Sequence, residues 1–168
     1  IEMSNQEETY FKKVQIFNSV SGAEVYEKYN QTNFENEKLL KFRYDLIKEE
    51  SEEIRDALEN KDYGEIIDGC CDVIYVALGL MDAMGIDGDK AFQYVQDCNM
   101  SKFCDTEEDA KKSVQKYLDD KESPYDSPAY RYNEKNGLWI VYNKSSGKIL
   151  KNKNFKPPDF RNLEPFSK

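Results

Sequence analysis

The chain of 168 residues contains no histidine. That absence removes imidazole as a general base, the Ser-His-Asp and Cys-His nucleophile systems and most zinc sites. Acid-base chemistry here must rest on carboxylates, lysine or tyrosine. The four cysteines, Cys70, Cys71, Cys98 and Cys104, make no C-x-x-C pair and fall in helix-like segments, which reads as reduced core residues of a cytoplasmic protein. No apolar run approaches the roughly 18 residues of a membrane span, and no basic stretch leads into an apolar one near the N-terminus, so a membrane partner is not expected. Positive charge is scarce too. With 24 Lys and Arg against 33 Asp and Glu, the formal charge of -9 repels nucleic-acid polymers as well as anionic membranes. A small anionic substrate stays possible where metal ions supply positive charge locally.

What the sequence does hold is helical periodicity. Tyr10, Phe11, Val14 and Phe17 predict a helix from Glu7 to about Val20, followed by a polar loop from Asn30 to Asn36. Leu39, Leu40, Leu46, Ile47, Ile54, Ala57 and Leu58 recur at three and four residues and predict a long amphipathic helix from about Glu37 to Asn60. Asp62 with Glu65 three residues on has the form of a capping box, opening a helix that Gly85 stops after Met84. Two more helices are predicted, from about Gly88 to Phe103 behind Asp87 and from Thr106 to Leu118 behind Asp105. Beyond Ser123-Pro124 come short runs at Tyr130 to Tyr132, Leu138 to Tyr142 and Lys148 to Leu150, with Asn136-Gly137 and Ser145-Ser146-Gly147 between them. The expected fold is all-α, a four- to five-helix bundle over residues 1–122. A small β-hairpin or meander and an extended tail with Pro157-Pro158 and Pro165 occupy residues 123–168.

The acids are not evenly placed. On a wheel of about 100° per residue, Glu50 falls in the middle of the apolar arc of the first long helix and Glu53 at its edge, while Glu52, Asp56 and Glu59 read as solvated face. Burying an uncompensated carboxylate costs several kcal/mol, so something cationic should meet Glu50. Arg43, on the same side, is one candidate. The next helix is apolar over most of its circumference except for a strip of Glu65, Asp68, Asp72, Tyr75, Gly79 and Asp82, and no Lys or Arg occurs between Asp62 and Met84. Four like charges without counter-charge ask for a cation, although Glu65 also has a capping role available. An antiparallel pairing of the two helices brings Glu50 and Glu53 opposite Glu65, Asp68 and Asp72. Such oxygen-only, multiply anionic sets suit Mg²⁺ or Mn²⁺, ions that bridge phosphate oxygens.

Glu50-x-x-Glu53 followed by Glu65-x-x-Asp68 resembles the E-x-x-E and E-x-x-D motif of the all-α nucleoside triphosphate pyrophosphohydrolases, which include MazG proteins, dimeric dUTPases and phosphoribosyl-ATP pyrophosphohydrolase. The strings from Leu46 to Ile54, Asp68 to Val76 and Asn99 to Phe103 are similar to those of phage and MazG-like members, a likeness that spans roughly residues 10 to 120. The resemblance implies Mg²⁺-dependent cleavage of a nucleoside triphosphate between its α and β phosphates. It makes Glu50, Glu53, Glu65, Asp68 and Asp72 metal ligands and gives Glu49 the attacking water. Lys102 would meet a phosphate, Asn99 the sugar or base, and Tyr75 the sugar, with a core or interface role for Tyr75 equally open. It further implies a homodimer or homotetramer. Phe17-Asn18 stands where relatives often have Phe-His, which leaves a base contact there in doubt. Two other readings stay open: a catalytically silent acidic binding protein, and a hydrolase of another pyrophosphate such as phosphoribosyl-ATP.

Overall fold

Local capping sets where the helices begin. In the computed structural model, which describes residues 7–161 and 166–168, α1 is Tyr10–Ser21, α2 Glu37–Glu59, α3 Tyr63–Ala83, α4 Gly88–Met100 and α5 Glu107–Asp119, followed by strands β1 (Pro128–Asn133) and β2 (Leu138–Asn143). Thr9, Asn36, Asp62 and Thr106 each accept a hydrogen bond from the backbone N–H three residues on, at 3.1 to 3.2 Å. These contacts satisfy N–H groups the helices leave unpaired. The last helix therefore starts behind Thr106 rather than Asp105. The polar stretch before α2 is not wholly irregular: Gln31–Glu35 forms a 3-10 helix capped by Asn30. Five helices and one antiparallel hairpin make the chain mostly helical, as the periodicity predicts.

The described residues divide into two compact units, and the boundary falls inside α4. The helical unit comprises residues 1–92 with 161–168. In it α3 lies antiparallel against α2, and two glycines allow the helices to touch. A Cβ on Gly69 would stand 2.8 Å from Ile54 Cγ1, and one on Gly79 would stand 2.8 Å from Arg43 Nη1. Phe11 and Val14 of α1, Leu39 and Ala57 of α2, and Ala83 of α3 are buried here. So are four polar side chains, Asn18, Asn33, Arg43 and Asp82. The segment before Lys168 returns to this unit, with Ile86 and Ser167 forming an antiparallel bridge and the Lys168 N–H donating to Gly85 O at 3.1 Å.

The second unit, residues 93–160, is organised around Cys104, Ala110, Val141 and Leu150, against which Val114, Tyr117, Tyr125, Tyr130 and Trp139 pack. Its hairpin pairs Pro128 with Asn143 through to Asn133 with Leu138. Gly137 sits at φ +69°, a left-handed conformation glycine adopts without steric cost, and its N–H closes the turn on Asn133 O at 2.8 Å. The third predicted run, Lys148 to Leu150, is not a full strand. It meets β2 in a single bridge between Tyr142 and Ile149, because the Ser145-Ser146-Gly147 turn leaves room for little more. Residues 156 to 160 have no regular structure, in keeping with Pro157-Pro158; Pro165 lies outside the described residues. Among the described residues no helix is long and apolar enough to cross a membrane.

Candidate active site

The two close approaches fix the register of α2 against α3. With Ile54 opposite Gly69 and Arg43 opposite Gly79, Glu50 comes level with Asp72 and Val73, and Glu53 with Cys70. Glu65 is level with Leu58, two turns from Glu50, or about 12 Å along the axis at 1.5 Å per residue. The electrostatics agree with this register. Burial raises the Glu50 carboxyl above its ordinary range first of all, and the charges of Asp72, Glu53 and Glu49 push in the same direction. One oxygen of Glu50, Oε2, is buried without a hydrogen-bond partner. A buried carboxylate oxygen lacking any donor is costly and calls for a cation or a proton.

Arg43 does not supply it. Its guanidinium is buried against Gly79, and the acid that acts on it is Asp82 rather than Glu50. Burial lowers the Arg43 pKa, with the Asp82 charge opposing that shift. Asp82 has its own partners. Asn18 Nδ2 donates to Oδ2 at 2.8 Å, and Lys168 Nζ donates to Oδ1 at 2.6 Å and to the Asp82 carbonyl at 2.9 Å. The strip along α3 is thus graded. Gly79 and Asp82 are buried, Asp72 is half-buried, and Glu65 and Asp68 are exposed. Among the described residues, the acids of α3 from Asp72 back towards the helix start are in no ion pair.

The other sequence candidates distribute as follows. Glu65 is not consumed by a capping box: Asp62 accepts from the Glu65 N–H, but the Asp62 N–H donates to Ala57 O at 3.0 Å, so the reciprocal arm is unused. Glu49 and Glu53 are exposed beside Glu50. Tyr75 meets the exposed ring of Phe17 edge-on, with centroids 5.5 Å apart. Asn18 points at Asp82, so its role is to hold α1 on α3. Asn99 and Lys102 belong to the second unit, where Lys102 Nζ lies 6.0 Å from the centre of the Phe155 ring. The cysteine expectation fails for half the set. Cys98 and Cys104 are buried, whereas Cys70 and Cys71 are exposed on α3. All four are free thiols.

The chemistry of the donor set fits a hard divalent ion: carboxylate oxygens only, one of them buried and unpartnered. The acids are neighbours rather than a closed cage, since among the described residues no group of three or more Asp, Glu or Cys side chains is gathered tightly enough to hold an ion. Sequence reasoning missed the Arg43–Asp82–Asn18–Lys168 group. Its one visible signal was Asp82 on a strip one turn from apolar Leu78, while Lys168 lies too far along the chain for any periodicity to connect them.

Residues 20–99 match the family model described as phosphoribosyl-ATP pyrophosphohydrolase, a member of the all-α NTP pyrophosphohydrolase superfamily. The chain is also 25% identical to an uncharacterized protein of Acanthamoeba polyphaga mimivirus, in an alignment of 247 residues that covers 95% of this chain and 97% of the viral one.

Proposed function

We propose that the protein is a metal-dependent nucleoside triphosphate pyrophosphohydrolase that releases a nucleoside monophosphate and pyrophosphate. The observation that carries this is the buried, unpartnered Oε2 of Glu50, raised in pKa on a helix level with Asp72. A purely structural or surface role gives no reason to keep a carboxylate there. Glu50, Glu53 and Asp72 would hold Mg²⁺, with Mn²⁺ as a substitute, and Asp68 and Glu65 would add oxygens from farther along α3. The ion, when bound, neutralises phosphate charge. Glu49, exposed and next to Glu50, would orient the attacking water and take its proton as the new bond to the α phosphorus forms and the α–β bridge breaks. Tyr75 and Phe17, one turn beyond Asp72, offer apolar surface for the nucleoside.

An uncovered face supports assembly with a second copy. Ile67, Cys70, Cys71 and Ile74 are exposed on α3, and a cleft of about 250 Å³ beside them is lined by Tyr10, Val14, Tyr75 and Leu78. A helix apolar on nearly all sides is ordinarily buried on nearly all sides. The deciding assay is a panel of nucleoside triphosphates together with phosphoribosyl-ATP, with Mg²⁺ and with chelator, in which both products are identified. Monophosphate and pyrophosphate formed only with metal support the reading, and preference for phosphoribosyl-ATP would move the substrate to that of the family model. No turnover of any member would leave an acidic binding protein as the better account.

A further inference from the structure

The second unit contains a cleft of about 230 Å³ with a character unlike the rest of this acidic chain. Lys116, Lys151 and Lys153 line it with Tyr117, Asn152 and Phe155, and Asp120 is the acid at its edge. Lys153 is engaged by Asp109 at 3.3 Å, whereas Lys116 and Lys151 are in no ion pair among the described residues. The backbone shaping the cleft is held firmly. The Tyr117 hydroxyl donates to Lys151 O and accepts from the Lys151 N–H, both at 2.9 Å, and Ser113 Oγ accepts from the Lys153 N–H at 2.9 Å. Lys151 Nζ is 5.0 Å from the Phe155 ring centre, and outside the cleft Lys148 Nζ is 5.3 Å from that of Tyr125, which stands edge-on to Tyr117. From Lys135 to Pro158 the sequence has six lysines and no acid.

We propose that this cleft binds an oligophosphate, a short chain of phosphates either inorganic or carried by a nucleotide. Two unpaired ammonium groups beside a rigid, partly apolar pocket suit a compact polyanion, and the chain's overall negative charge would repel one elsewhere. Lysine side chains supply the whole attraction. The cleft lies beside the carboxyl end of α5, where backbone dipoles favour cations, so their removal leaves nothing for the anion.

The test is calorimetric titration of the full chain with tripolyphosphate in chelator, where the carboxylates of the helical unit repel the probe and the proposed activity is silent. We expect saturable binding to one site, weakened by added salt, and an affinity loss of about tenfold or more in the double variant Lys116→Gln/Lys151→Gln. Lys111→Gln/Lys112→Gln, an equal charge change on α5 outside the cleft, should stay within about twofold. Competition by ATP would extend the site to nucleotide-borne phosphates, and failure to compete would restrict it to inorganic chains. Absence of saturable binding, or equal loss in both double variants, overturns the proposal, as does binding of adenosine without tripolyphosphate. None of these outcomes depends on hydrolysis.

Discussion

Residues 93–160 hold 12 Lys and Arg against 11 Asp and Glu, while the rest of the chain holds 12 against 22, so the units carry net charges of +1 and -10. Their interiors differ in the same spirit. Around an apolar centre with Cys104, Ala110 and Val141 at 0% exposure, the second unit buries only uncharged polar side chains, Ser113, Asn143 and Asn152, among the described residues. The helical unit buries Arg43, Asp82, Asn18 and Asn33, and leaves Ile67 and Ile74 about half exposed. A region that keeps charged groups inside and branched apolar groups outside departs from what its own stability asks for, and such departures concentrate at functional sites and interfaces. If the proposed function holds, the contrast places stability in one unit and chemistry in the other.

The most severe way to break that assignment is Glu50→Gln. Loss of a group acting on the reacting phosphates should reduce turnover by about a hundredfold or more, while the melting temperature holds or rises because three neighbouring carboxylates no longer oppose a buried acid. Turnover within about threefold of the parent would remove Glu50 from the chemistry. Next in size is Leu150→Ala, which empties a filled core and should cost about 3 kcal/mol in denaturant unfolding. Ile74→Ala on the uncovered face should cost the single chain far less, and Ile74→Asp should shift sedimentation to the monomer if a second copy covers α3. Equal costs at Leu150 and Ile74 in a monomeric protein would erase the distinction between the units.

Lys168→Ala sharpens the comparison from the other side. Asp82 would keep Asn18 and the distant pull of Arg43 but lose a charged hydrogen bond, at about 2 kcal/mol. Hydrogen exchange should report the loss in α3 and not in the hairpin unit. The smallest effect concerns Asp126, whose carboxyl is lowered by hydrogen bonds from Ser145, Asn143 and Ser127. A carboxyl lower in the folded than in the unfolded state adds stability that is complete above the unfolded pKa, about 3.9, and is lost as pH falls through the folded value. Acidification below about pH 4 should therefore loosen the loops around Asp126 and Ser145, and Asp126→Asn should remove that dependence.

Much of this arrangement can be read from residue order alone. Three- and four-residue spacing locates the helices, Asp62 locates the start of α3, and the position of Glu50 in an apolar arc singles it out, because each signal is local to one helix. The pairing of Glu50 with Asp72 instead of Glu65 could not be read. It depends on Gly69 and Gly79 setting where two helices touch, and spacing within a helix carries no information about register between helices. The cysteines mislead for a related reason: apolar character says that a side chain wants cover, not that its own chain provides it. The Asp82 counter-charge and the lysine cleft join residues far apart in sequence, out of reach of any periodic pattern.

The contact between Asp82 and Lys168 spans 86 positions, and the whole hairpin unit is made in between. During synthesis α3 therefore emerges with Arg43 already made but the hydrogen-bonding cation of Asp82 still to come, while the second unit completes its core. Closure of the helical unit around Asp82 thus follows synthesis of the whole second unit.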